Sequence, residues 1–260
     1  MTTYLHWALL FCGLLLAPWV QGQDGLESQN TLQDIQIEGT TPFFIESLEG
    51  TGLDAETRVE LAHWYNPNST NRSAVFAVEY ESDVPEEAIP AIEMAVDIWA
   101  SALVGVVPIR IEVEWDSLPP NILGQASPYE VKANFPGALL EDTQYPIALA
   151  NQFAGSDLNP DAPDMIIRFG EDPLWYYELD GETPEGLYDA LTVALHEIGH
   201  GLGFLGSASY NGTSGFVGFE GMPFAYDRFV ELADQSSILQ FVSGTTDLAE
   251  ALQSDALYWG

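Results

Sequence analysis

The chain has 260 residues, 47% of them hydrophobic, which is enough for one or two domains with a substantial core. Forty acidic residues against six basic ones give a net charge of −34, which argues against nucleic acid and anionic membrane surfaces as partners. The one cysteine, Cys12, excludes a disulfide framework and, from its place near the N-terminus, a cysteine nucleophile in the mature chain.

Residues 8–20 form an apolar run with a Pro near its end, followed by Val20-Gln21-Gly22, small where a processing enzyme needs it. Residues 1–22 therefore read as a signal peptide cleaved after Gly22, although the leader carries His6 and no Lys or Arg ahead of the run. The run is short for a bilayer span, so an exported, extracellular protein with no membrane attachment after cleavage is expected. Residues 23–72 are rich in Gly, Thr, Glu and Ser without sustained periodicity, as in a propeptide, a linker or a peripheral wrap, and 66–71 (NPNSTN) marks the boundary. Asn68, Asn71 and Asn211 each head an N-x-[ST] triplet, meaningful only in a host that glycosylates.

A folded domain is expected over 73–260. Residues 74–80 (AVFAVEY) are β-branched and aromatic and predict a strand. Pro85-Glu86-Glu87 opens an acidic first turn, and Ala88, Ile92, Ala95, Val96 and Trp99 follow at helical spacing as far as Leu103. Residues 109–115 (IRIEVEW) alternate apolar with charged, the pattern of a strand with one wet face. A Pro- and Gly-rich middle contains a weak strand candidate at 145–151, and 165–169 (MIIRF) reads as a short buried strand. Asp157, Asn159, Asp161 and Asp164 space oxygen donors as calcium loops do. The sixth position is Ala162 where an EF-hand needs Gly, and the twelfth is Arg168 where it needs Glu, so the stretch reads as a solvated turn and supports Ca2+ only weakly. The acids as a whole are scattered, which fits solvation in salty surroundings first, divalent cations second and basic substrates third.

The stretch 187–206, LYDALTVALHEIGHGLGFLG, carries the chemistry. Thr183 as cap, Pro184 at the first position and Glu185 beside the dipole predict a helix start, and Gly203 is placed to end it in a left-handed turn. Leu187, Leu191, Leu195, Ile198 and Leu202 form its apolar face. His196 and His200, four apart, leave one face a turn apart, as two ligands of one metal ion do. Glu197 projects about 100° further round the axis, beside the ion, where a general base acting on metal-activated water belongs. HExxH also occurs by chance, but two of the chain's four histidines fall within these five residues.

HEIGHGLGF, His196 to Phe204, resembles the metzincin zinc-protease signature HExxHxxGxxH through its Gly at Gly203, and most resembles the secreted HE[IL]GHGLGF group, with the later YDRF adding length to the likeness. The family's third His would fall at Gly206; in the leishmanolysin-like branch it comes only after a long insertion. The resemblance implies an α+β fold, a twisted mixed sheet packed on two helices with HExxH on the second, and an edge strand that binds substrate backbone by β-addition. It further implies one catalytic Zn2+ held by His196 and His200, Glu197 as the catalytic base, and a protein or peptide substrate.

A catalytic zinc needs a third protein ligand, and no His follows His200. Asp227 and Glu220 are carboxylate candidates, although Asp227 beside Arg228 equally suits a salt-bridged helix end; His63 is a remote option that lies before the domain. The chain stops on an apolar, aromatic segment, 255–260 (DALYWG), with strand propensity and no polar tail. The resemblance therefore implies an incomplete C-terminal subdomain, with the third His and a Met-containing turn beyond Gly260. The function expected is a secreted zinc endopeptidase; the alternative is a secreted acidic binding or adhesive module whose HExxH site is vestigial or incomplete.

Overall fold

A computed structural model of the chain describes residues 74–254 and 257–259. The expected signal peptide, Cys12, the 23–72 extension with His63, and the triplets at Asn68 and Asn71 lie outside the described residues.

Four strands make the main sheet: β1 (Phe76–Tyr80), β2 (Ile109–Asp116), β3 (Gly124–Pro128) and β4 (Met165–Gly170), in the order β1-β2-β4-β3. The first three in that order run parallel, and β3 closes one edge antiparallel to β4. With four α-helices among the described residues the fold is α+β, as expected. The alternation in 109–115 does what its period demands: Ile109, Ile111, Val113 and Trp115 are buried, while Arg110, Glu112 and Glu114 stand half-buried on the opposite face. Register brings Glu79 beside Glu112, and burial, followed by the charges of Glu114, Glu81 and Glu79, raises the Glu112 carboxyl above its ordinary range. Acids scattered in sequence thus gather on one sheet face, where Arg168 Nη2 donates to Glu114 Oε1 at 3.3 Å.

Helix α1 (Ile89–Ala102) and helix α3 (Ala190–Leu202) pack on each other and on the buried side of the sheet. Ile92, Ala95 and Trp99 from α1 meet Val193, Ala194 and Ile198 from α3 over Ile111, Val113 and Ile167. Each fully buried isoleucine here contributes roughly 1.5–3 kcal/mol. Trp99 Nε1 donates to the Leu195 carbonyl at 3.0 Å, which fixes the two helices in register.

Three boundaries differ from expectation. The predicted helix start at Thr183 fails, because Gly186 turns at φ 85° and Tyr188–Asp189 stays extended, pairing parallel with Trp175–Tyr176; the helix opens only at Ala190. Helix α1 likewise starts at Ile89, since Pro85 to Ala88 form a separate turn closed by Ala88 N–H on the Pro85 carbonyl. The strand candidate at 145–151 is a strand only over Tyr145–Pro146, and the good helix formers after the proline make helix α2 (Ile147–Ala154), ended by Gly155 at φ 66°.

The 157–164 stretch is not a free loop. Asp157 Oδ1 accepts from Asn159 N and from Arg110 Nη2, while Asp164, fully buried, accepts from Arg110 N and Asn151 Nδ2. Beyond α3 the chain builds small two-stranded ladders around Ile238, Leu248 and Ala251, with Leu248 and Ala251 from helix α4 (Thr246–Leu252). The strand propensity near the end is realised: Leu257–Trp259 pairs antiparallel with Val230–Leu232. No helix among the described residues is long and apolar enough to cross a membrane.

Candidate metal centre

Helix α3 is buried nearly all round, including Thr192, Glu197, Gly199 and Gly201 as well as its aliphatic residues. Close approach to the sheet explains Gly201, where a Cβ would overlap Met165 Sδ. The helix ends as the glycines predict. Gly203 lies at φ 124°, Gly203 N–H donates to the His200 carbonyl and Phe204 N–H to the Gly199 carbonyl, both at 3.1 Å, which is the Schellman pattern.

That cap has a chemical consequence. Turning the chain back at Gly203 presents the Phe204 carbonyl to His200, whose Nδ1 lies 2.7 Å from it. An Nδ1–H donated to a carbonyl leaves Nε2 as the lone-pair nitrogen. His200 Nε2 and His196 Nε2 stand 2.7 Å apart, with the rings nearly perpendicular at 82°. Two ring nitrogens one helical turn apart therefore converge on a single point. Burial, followed by the charge of His200, pushes His196 down to about 3, and burial lowers His200 against the opposing pull of the Phe204 carbonyl. Both imidazoles are held neutral at physiological pH, the form that ligates a metal.

Glu197 is an ionisable group buried without a partner. It is fully buried, neither carboxylate oxygen has a hydrogen-bond partner, and burial raises its carboxyl well above the ordinary range. An isolated buried carboxyl costs several kcal/mol on general grounds, roughly 2–7 for an unpaired polar group, so its presence needs a reason outside the fold's own stability.

The residues fit two ligand positions and one base position of a catalytic zinc site. Among the described residues no further His, Cys, Asp or Glu joins the pair in a group able to hold an ion. Asp227 is buried but employed elsewhere: it accepts from Ser207 N at 2.9 Å, from Phe224 N at 2.8 Å and from Ser207 Oγ. The expected Asp227–Arg228 pair is replaced by this capping, because the Arg228 guanidinium reaches Thr143 Oγ1 and the carbonyls of Glu141 and Asp142. Glu220 sits exposed in a turn at φ 51°. Two features of the site escaped sequence reasoning: the Phe204 carbonyl, legible only once the Gly203 cap is drawn, and Gly124 of β3, hidden in the Pro- and Gly-rich middle. Comparison of the chain with protein-family models, with curated proteins and with solved structures gives no match in any of the three.

Proposed function

We propose that this protein is an exported, metzincin-like zinc endopeptidase. One observation carries the reading: two neutral imidazoles converge through Nε2 while a buried, unpartnered carboxyl stands beside them on the same helix. The architecture supports it, since a mixed sheet with an antiparallel edge strand packs on two helices and the second bears HExxH. The expected leader supports export, and protein or peptide is the substrate class that this chemistry fits.

His196 and His200 would hold the ion, with a third ligand supplied from outside the described residues. Zinc bound there supplies Lewis acidity, polarising the scissile carbonyl and acidifying water. The chain's own residues do the rest. The Phe204 carbonyl orients His200, and α3 keeps the imidazoles a turn apart. Glu197 takes the proton of the attacking water and hands it to the leaving amine, so no covalent acyl-enzyme forms. The edge strand β3, beside Glu197, offers its outer backbone to an extended substrate.

The rival, an exported acidic binding or adhesive module, is favoured by the commitment of Asp227 to Ser207 and Phe224. Zinc analysis of the full chain separates the two. Stoichiometric zinc with chelator-sensitive cleavage of a generic protein is expected, with Glu197→Gln keeping the zinc and losing turnover by a factor of about 10²–10⁴. A folded protein that takes up no zinc, or a Glu197→Gln variant that still cleaves, sinks the protease reading.

A further inference from the structure

Gly124 is the first residue of β3, buried, and paired with Phe169 of β4. Its backbone does not require glycine, since its φ is not among the positive values of the described residues. A strand glycine weakens a sheet, so the reason for it lies in space and not in conformation. A Cβ at this position would stand 2.9 Å from Glu197 Oε1 and 3.1 Å from both Glu197 Cγ and Val193 Cγ1. The Glu197 carboxylate therefore occupies the room that a side chain at 124 would fill.

From this juxtaposition we infer that Gly124 is a positioning residue for Glu197, a role that rests on the protease reading above. A carboxylate with no hydrogen-bond partner is placed only by the walls around it. Here those walls include the bare backbone of β3 at Gly124. The ladder with β4, which runs from Gly124↔Phe169 to Pro128↔Met165, holds the strand in register. When a methyl group is added at 124, the strand stays and the flexible end of Glu197 moves. Catalysis is then lost out of proportion to stability, because displacing a catalytic group by about 1 Å costs on the order of a hundredfold in rate.

The test uses the full chain with three variants: Gly124→Ala, Glu197→Ala and the double. In zinc-stripped protein, Gly124→Ala should lower the melting midpoint more in the parent than in the Glu197→Ala background, where only the Val193 contact remains. With zinc restored, Gly124→Ala should keep full metal content and KM while kcat falls on the order of a hundredfold. Unchanged kcat in Gly124→Ala overturns the role, as does a loss of zinc, which reports general distortion. Absence of coupling in the melting cycle removes the contact itself. A parent that binds no zinc and cleaves nothing sinks the protease reading, and the role of Gly124 with it, even where the melting cycle still registers the contact.

Discussion

The polar side chains around Asn151 and those around the His196–His200 pair are built on opposite terms. Around Asn151 every group has a partner: its Nδ2 donates to Asn159 Oδ1 at 3.1 Å and to Asp164 Oδ1 at 2.9 Å, and its Oδ1 accepts from Leu158 N at 2.8 Å. Asp164 also accepts from Arg110 N, and Asn159 Nδ2 donates to the Pro163 carbonyl. Around His196 and His200 the fold instead leaves both oxygens of Glu197 without a partner and brings the two Nε2 atoms to within 2.7 Å of each other. A satisfied buried network ties β2, α2 and the 157–164 loop together. An unsatisfied one costs stability, a cost that the proposed metal site would explain.

The largest stability effect is expected where satisfaction is complete. Asn151→Ala removes three hydrogen bonds at once and takes partners from Asp164, Asn159 and the Leu158 amide, so a destabilisation of roughly 3 kcal/mol is expected by denaturant titration. Zinc content should not move. If zinc affinity falls with stability, the two groups are not separate and the contrast between them fails.

Asp227 tests the boundary, being buried like Glu197 but partnered like Asp164. Its burial raises the carboxyl, while the donors from Ser207 and Phe224 and the charge of Arg228 pull it back. Asp227→Ala should cost roughly 2 kcal/mol by freeing the Ser207 and Phe224 amides, again with zinc retained. Loss of the metal would instead make Asp227 the third ligand.

How much of this was legible in the sequence follows from the range of the forces involved. The period of IRIEVEW, the helix through Trp99 and the glycine stop at Gly203 are local, and each stands where its spacing put it. The His pair was legible for the same reason, since i and i+4 share a face by helix geometry alone. What failed was decided by partners distant in sequence. Tyr188–Asp189 is held extended by Trp175–Tyr176, overriding a good capping signal at Thr183 and Pro184. Gly124 lies in the Pro- and Gly-rich middle where GQASP has no apolar alternation to predict an element, and only the ladder with β4 makes it a strand. The lack of partners for Glu197 is a three-dimensional fact, invisible in HEIGH.

The subtlest expectation concerns acidity in zinc-stripped protein, where burial shifts His196 down and Glu197 up. His196 in the fold is pushed down to about 3 from an ordinary 6.5, so between those values the unfolded chain takes a proton that the native state refuses. Stability contributed by that group is complete above about pH 6.5 and declines as the pH falls toward 3. Glu197 runs the other way. Its carboxyl is raised well above 4.5, so the native state keeps a proton that the unfolded chain releases, and stability falls as the pH rises past the ordinary carboxylate range. Glu197→Gln removes only the second effect. Melting of the zinc-stripped variant should therefore exceed that of the parent at neutral pH, with the difference shrinking on acidification below 4.5 while the His196 decline persists. A variant that is less stable than the parent at neutral pH would show that Glu197 has a stabilising partner in solution, and the distinction between the two buried groups would then rest on the imidazoles alone.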